Sequence, residues 1–102
     1  AQLLNAEDFE DKFISIEGHT DNVTMNSPRY PSNWELSVGR SSNVVRFLVE
    51  NNNTDPKRIS VSGYSEYHPV APNDNAENRA KNRRVDILIL KTIHYKDSSK
   101  NQ

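Results

Sequence analysis

The stretch KFISIEGHTDN, residues 12–22, decides the fold and raises the question of function. Its first half has Ile14 and Ile16 at alternate positions, which is typical of a β-strand with one buried face. The pattern ends at Gly18 and continues into a histidine, a hydroxyl and a carboxylate at positions 19–21. Such a group at a strand end could form a metal site, a catalytic dyad, a helix cap or a binding subsite.

A long amphipathic helix is predicted next. Ser32 followed by Glu35 fits a capping box with the serine as N-cap, because its oxygen accepts from the first helical turn while the glutamate reaches back. Apolar residues then recur at helical spacing from Leu36 to Val49. The asparagine-rich stretch ENNNTDP, residues 50–56, ends the helix, since asparagine and proline favour turns.

Two further strands and a short helix complete the pattern. RISVSGY predicts a strand from Ile59 to about Tyr64, and its connection to the first strand is long enough for a right-handed crossover between parallel strands. NDNAENRAKN predicts a short helix capped by Asp74 or Asn75. RVDILILKTI, residues 84–93, predicts a strand that is apolar on both faces and therefore covered on both faces or central. We thus predict an α+β fold, a mixed β-sheet with helices packed on it.

One domain and a tail account for the whole chain. We expect a single domain over residues 1–95, which starts with the remnant of a helix at 1–11, and a C-terminal tail over 96–102. The chain of 102 residues starts without a methionine and inside a helical pattern, so we expect a fragment of a longer protein. No apolar run approaches the roughly 20 residues that span a bilayer.

Charge and composition narrow the classes of function. Thirteen basic and fourteen acidic residues give a formal charge of -1, without the clustered basic face that a nucleic-acid partner requires. The chain has no cysteine, which excludes disulfides and thiolate metal sites. Its three glycines form no phosphate-binding loop, and no serine lies in a nucleophile elbow. We therefore predict no catalytic residues and no cofactor.

The histidines do not form a recognisable metal site in the sequence. A catalytic zinc ion usually takes three protein ligands at close spacing, whereas His19, Asp21 and His68 are scattered. A hydrogen-bonded structural histidine is the better interpretation of His19. We predict no metal site.

Arg40 is the most informative single residue. Leu36, Arg40 and Val44 are spaced four apart and form one row on a helix, so an arginine lies within the apolar stripe. It must extend to solvent or find a carboxylate, because an unpaired buried charge is costly. Ligands commonly bind where strand and helix ends meet, and this edge brings Asp21 within reach. Two interpretations stay open: an ion pair that fixes the loop, or a split site in which Arg40 binds a carboxylate and Asp21 an ammonium.

Three segments together resemble a known family. IEGHTDN, NWELSVGRSSNVVRFLVE and RISVSGYSEYHPVAPNDNAENRAKNRRVDILI have the order and spacing of motifs in the OmpA-like peptidoglycan-binding domain, from Phe13 to about Leu90. Within that family, the chain is most similar to the periplasmic C-terminal domain of MotB-type flagellar motor stator proteins. YPSNWELSVGR and the long loop between Asp21 and Asn33 favour this branch.

The resemblance implies binding without catalysis. Domains of this family bind the peptidoglycan stem peptide, especially the ammonium and carboxylate of diaminopimelate. Asp21 matches the aspartate of the family's GHTD motif, Arg40 the arginine of its LSxxRA helix, and Asn33 the asparagine before that helix. The ligand-binding residues that we predict are Asp21, Arg40, Asn33, Thr20, Asn22 and Arg79.

The chain departs from the family pattern in three places. Ser41 stands where alanine is usual, and Asn78 stands where glycine is common. The loop between Asp21 and Asn33 is longer than in typical members, and it either covers or shapes the ligand cleft. Ligand contacts that other members make just after GHTD are therefore not transferred to this loop.

The stator branch implies a wider context. It implies a periplasmic domain of an inner-membrane protein, which anchors the flagellar motor to peptidoglycan as a homodimer and pairs with a MotA-type membrane subunit. The family's first strand and a transmembrane helix are expected upstream of Ala1. The alternatives are a generic wall anchor of a lipoprotein or outer-membrane protein, a small hydrolase that uses His19 and Asp21, and a dimerisation module without a ligand.

Overall fold

The computed structural model describes residues 12–91. The predicted helix remnant at 1–11, the tail at 96–102 and the domain boundary at 95 lie outside this range. None of the described helices is long and apolar enough to cross a membrane. The described elements are β1 (Lys12–His19), α1 (Asn33–Asn51), a 3-10 turn (Pro56–Arg58), β2 (Ile59–Gly63), α2 (Ala76–Asn82) and β3 (Arg84–Lys91).

The three strands form one mixed sheet in the order β2-β1-β3. β1 runs parallel to β2 and antiparallel to β3, with Ile16 opposite both Val61 and Ile87. The predicted α+β fold with a mixed sheet and packed helices is confirmed. Of the two alternatives predicted for β3, covered on both faces or central, the central position does not hold within the described residues, because β1 lies between its two neighbours. Leu90 on β3 is accordingly 48% exposed.

Helix α1 covers one face of the sheet. Its N-cap is Ser32, as predicted, and the Ser32 Oγ accepts from the Trp34 N–H at 3.1 Å. Leu48 packs with the two buried isoleucines of β1, and these three residues form the centre of the core. Phe47, the apolar residue just before Leu48, is 55% exposed, because adjacent helical positions are rotated by about 100°.

Two glycines let α1 lie directly on the strands. Gly18 and Gly63 are opposite each other in the parallel pair β1–β2. A Cβ atom on Gly18 would lie 1.9 Å from the Ser37 carbonyl oxygen, and one on Gly63 would lie 2.6 Å from the Ser37 Oγ. Neither glycine has a positive φ, so close approach of the helix and not backbone conformation requires glycine here. The buried Ser41 extends this contact, since its Oγ donates to the Ser62 carbonyl at 2.9 Å.

Helix α2 anchors the loop that precedes it. Its N-cap is Asn75, one of the two predicted caps, and the Asn75 Oδ1 accepts from the Asn78 N–H at 2.8 Å. At its other end Asn82 is fully buried and accepts from the N–H groups of Val70 and Ala71 at 2.8 and 3.1 Å. The Asn82 amide also donates to the Ala71 carbonyl at 2.9 Å. The loop backbone thus forms its hydrogen bonds with this one side chain, where a strand or helix would form them with other backbone groups.

Candidate functional site

A cleft opens where β1 ends, the long loop begins and α1 starts. Its volume is about 320 Å³. The residues that line it come from three segments of the chain and combine one carboxylate, two guanidinium groups and several small or apolar side chains. They are Thr20, Asp21, Val23, Thr24, Met25, Asn33, Leu36, Arg40 and Arg83.

Asp21 supplies the carboxylate of the cleft. It is buried, and its Oδ1 accepts from the Val23 N–H at 2.9 Å while its Oδ2 accepts from the Arg83 Nη1 at 2.7 Å. Burial alone would raise the pKa of Asp21, but the hydrogen bonds from Arg83 and Val23 and the nearby arginine charges hold that pKa below its usual range. The carboxylate is therefore ionised at neutral pH.

The ion-pair partner of Asp21 is Arg83 and not Arg40. The structural interpretation of Arg40 as the partner that fixes the loop is thus wrong. Arg83 immediately precedes β3, and the antiparallel register sets the next residue, Arg84, opposite His19 at the end of β1. This register places Arg83 near the end of β1, close to Asp21.

Arg40 lines the same cleft from α1. Among residues 12–91, its guanidinium has no hydrogen bond or ion pair with another side chain. It also lines a second opening, of about 480 Å³, together with Arg83 and Arg84. The cleft therefore contains a guanidinium whose donors are available to a ligand.

Asn33 contributes an unpaired acceptor. The side chain is buried at the first position of α1, and its Nδ2 donates to the Val23 carbonyl at 3.1 Å. Its Oδ1 is buried and has no hydrogen-bond partner. Buried polar atoms normally have a partner, so an acceptor left open beside a cleft favours a donor group on the ligand.

The other three predicted residues lie around the cleft or beside it. The Thr20 hydroxyl, which lines the cleft, donates to the Asp21 carbonyl at 2.8 Å. The Asn22 Oδ1 accepts from the Arg79 Nε at 3.1 Å, and the Arg79 Nη2 donates to the Asn73 carbonyl at 3.2 Å. Asn22 and Arg79 do not line the 320 Å³ cleft; they connect its loop to α2.

The long loop shapes the cleft without filling it. Val23, Thr24 and Met25 form one wall, and the bond from Asn33 holds the loop against α1. Farther along, Tyr30 packs on α1 so closely that a Cβ atom on Gly39 would lie 2.7 Å from its ring. The contact of this mid-helix glycine is therefore with an aromatic side chain and not with a neighbouring backbone.

A catalytic dyad of His19 and Asp21 would require a hydrogen bond between the two side chains, and they do not form one. Both carboxylate oxygens of Asp21 accept from other groups, and the His19 ring stacks on Tyr64 with centroids 5.2 Å apart. The predicted role of His19 as a hydrogen-bonded structural histidine is wrong too, because neither ring nitrogen has a hydrogen-bond partner.

Sequence reasoning missed Arg83 as a cleft residue. For the arginines of the run NRR, residues 82–84, the sequence offers two expectations: pairing with acidic residues at the surface, or stacking along the sheet edge. That pairing exists, since Arg83 binds Asp21 and Arg84 binds Asp86. The sequence does show that Arg83 immediately precedes a strand expected in the same sheet as β1. To infer from this that Arg83 lies beside Asp21, one must also know that the two strands are neighbours.

Acid is expected to weaken the fold through Asp21. Because the folded pKa lies below the usual value of 3.8, the contribution of this carboxylate to stability is fully present above that value. It is lost as the pH falls through the folded pKa. Between about pH 4 and pH 2, the melting temperature of the wild type should therefore fall more steeply than that of Asp21→Asn, as measured by circular dichroism. Equal slopes for the two proteins, or the same difference for the exposed control Asp74→Asn, would contradict this assignment.

Comparison with known proteins agrees with the fold. A model of the OmpA family matches residues 1–83. Motility protein B of Bacillus subtilis is 52% identical over 77 residues, which are 76% of this chain and 30% of that protein. The periplasmic domain of Helicobacter pylori MotB is 34% identical with a TM-score of 0.75, over 89% of this chain and 54% of that one. The cell wall anchor of the T6SS from Pseudomonas aeruginosa is 37% identical with a TM-score of 0.76, over 85% and 59% of the two chains.

Proposed function

The chain belongs to the OmpA family, and on that premise we propose that it binds the stem peptide of peptidoglycan without catalysis. One observation carries this proposal. A single cleft contains the ionised carboxylate of Asp21 and a guanidinium, Arg40, that has no side-chain partner among the described residues. A structural ion pair would have joined these two groups, whereas a binding site leaves one of them available.

The ligand group that fits best is the zwitterion of diaminopimelate. The planar fork of Arg40 suits a carboxylate, to which it can donate two parallel hydrogen bonds. Asp21 and the open Oδ1 of Asn33 accept from the ammonium. Arg83 stays beside Asp21 and leaves the cleft with one excess positive charge, which suits a peptide that carries a further free carboxylate.

The remaining predicted residues take positioning roles in this proposal. Thr20 holds the backbone of Asp21 through its hydroxyl, and the bond between Asn22 and Arg79 fixes the start of the loop to α2. Substitution of these residues should weaken binding less than substitution of Arg40. A carboxylate moved by even a fraction of an ångström still attracts an ammonium, whereas a lost guanidinium removes its hydrogen bonds completely.

In the whole protein, the proposed role of this domain is to anchor a flagellar motor stator to the cell wall. The similarity to Motility protein B and to the MotB periplasmic domain supports this role, and the chain spans about 30% of that first relative. The proposal includes a periplasmic location, a homodimer and a MotA-type membrane partner for the parent chain. The likeness to a T6SS cell wall anchor supports the alternative of a generic wall anchor, and the sequence upstream of this domain in the parent gene distinguishes the two.

A pull-down on purified, diaminopimelate-containing sacculi tests the proposal. The wild type should bind, while Arg40→Ala and Asp21→Ala should each bind at least about tenfold more weakly. Charge-assisted hydrogen bonds contribute roughly 1.5–3 kcal/mol, and 1.4 kcal/mol corresponds to a factor of ten. Arg46→Ala is the matched control, because Arg46 is an exposed arginine of the same helix that contacts Asn43 only.

Two outcomes would contradict the proposal. The first is unchanged binding by Arg40→Ala and Asp21→Ala when both variants have the circular dichroism spectrum of the wild type. The second is release of soluble muropeptides from the sacculi by the wild type, because turnover would make the domain an enzyme.

A further inference from the structure

Three potential metal ligands meet on the face of the sheet that α1 leaves open. On β1 the buried isoleucines face the helix, so Glu17 and His19 lie on the opposite face. Asp86 on β3 is directly opposite Glu17 in the antiparallel register. One ligand atom from each of the three side chains lies within 4.8 Å of the other two.

His19 is buried without a partner and faces this cluster. Its side chain is 3% exposed, and neither ring nitrogen has a hydrogen-bond partner. The Nε2 lies 3.4 Å from the Asp86 Oδ2, which is an ion-pair distance only when the ring is protonated. Burial, assisted by the charge of Arg84, lowers the pKa of His19 despite the opposing charges of Asp86 and Glu17. A buried imidazole with no hydrogen bond at either nitrogen can offer a lone pair to a metal ion.

The spacing of the two closest ligand atoms matches a coordination polyhedron. Zinc binds histidine nitrogen and carboxylate oxygen at about 2.0–2.2 Å in tetrahedral geometry, which puts neighbouring ligand atoms about 3.3–3.5 Å apart. The observed 3.4 Å between the His19 Nε2 and the Asp86 Oδ2 equals this edge. The Glu17 carboxylate, which lies within 4.8 Å of the other two ligand atoms, would supply the third corner and a water molecule the fourth.

We propose that Glu17, His19 and Asp86 bind a divalent transition-metal ion of the zinc type. One imidazole and two carboxylates suit this class, whereas calcium takes six to eight oxygens and magnesium keeps most of its water. The site lies on the other face of the sheet from the ligand cleft and does not depend on the proposed peptidoglycan binding.

Two neighbours organise the ligands from outside. Tyr64 stacks on the His19 ring and donates from its hydroxyl to the Glu17 Oε2 at 3.3 Å. The Arg84 Nε donates to both carboxylate oxygens of Asp86 at 3.1 Å. Outer contacts of this kind orient metal ligands, but the guanidinium charge also repels a cation. We therefore expect micromolar and not nanomolar affinity.

Isothermal titration of the tag-free 102-residue protein with zinc chloride, in a buffer without chelators, tests the proposal. The wild type should bind one equivalent. Glu17→Gln and Asp86→Asn should each bind at least about tenfold more weakly, since each loses one anionic ligand. Cobalt should bind the same site and show the intense visible absorption of a tetrahedral complex.

Control variants separate this site from other binding. Glu50→Gln removes an exposed carboxylate elsewhere, and His68→Ala removes a ring 6.3 Å from that of His19, so both should bind zinc as the wild type does. The proposal is overturned if the wild type shows no saturable binding, if Glu17→Gln and Asp86→Asn bind normally, or if His68→Ala abolishes binding. Glu17→Gln and Asp86→Asn decide the outcome, because both variants keep the buried His19 in place.

Discussion

Replacement of Gly18 by alanine should destabilise the domain by about 3 kcal/mol or more, at the upper end of the range for overpacked cores. The added Cβ atom would lie 1.9 Å from the Ser37 carbonyl oxygen and 2.8 Å from its carbon. Both are backbone atoms of α1, so no side-chain rotation relieves the clash. The helix must withdraw from β1, and the contacts of Leu48 with the strand isoleucines are lost with it.

Urea denaturation followed by circular dichroism measures this effect. Gly39→Ala is the matched control in α1, because its new methyl group would meet the side chain of Tyr30 and not the backbone. Its cost is offset by the gain in helix propensity of about 1 kcal/mol, so its stability should stay within about 1 kcal/mol of the wild type. Equal stability of Gly18→Ala and the wild type would show that α1 does not lie on the strand as closely as described.

Replacement of Asn82 by alanine should destabilise the domain by about 3 kcal/mol. The change removes the partners of two backbone N–H groups, at Val70 and Ala71, and of the Ala71 carbonyl. Each of these partly buried backbone groups, when left without a partner, costs about 1 kcal/mol. The loop before α2 should then open, which faster amide hydrogen exchange at residues 70–73 would report.

Asn78→Ala is the control for this prediction. Asn78 belongs to the same helix, and its side chain contacts only Asp74 at the surface. Its replacement should change the free energy of unfolding by less than about 0.5 kcal/mol. If Asn82→Ala and Asn78→Ala are equally stable, Asn82 does not hold the loop in the way its three hydrogen bonds to the loop backbone indicate.

Most of the helices and strands were predictable from residues that are close together in the sequence. The alternation around Ile14 and Ile16 marks β1, and the serine and asparagine caps mark the starts of both helices, because these signals act within a few residues. The apolar run of β3 was also recognised, but its place in the sheet was not. Apolar residues on both faces suit a central strand, and only the pairing of β1 with both neighbours puts β3 at an edge of the described sheet.

The candidate site was predictable in part, because some of its residues lie next to predicted strand and helix ends. Asp21 and Arg40 were expected together, since one follows a strand and the other lies near a helix start at the same edge, and the family resemblance added Asn33. All three line one cleft. The partner of Asp21 was not predictable. It lies 62 positions away along the chain, and its contact depends on the register of an antiparallel pair.

The sequence by itself determined the order of strands and helices, their caps and the polar strand end at residues 19–21, because propensity, capping and periodicity are short-range effects. Only the tertiary structure decided that Arg83 neutralises Asp21 while Arg40 stays available, that Gly18 is required for helix contact, and that His19 faces two carboxylates. Each of these facts depends on distances between residues far apart in sequence, and those distances are set by strand order, register and the height of the helix above the sheet.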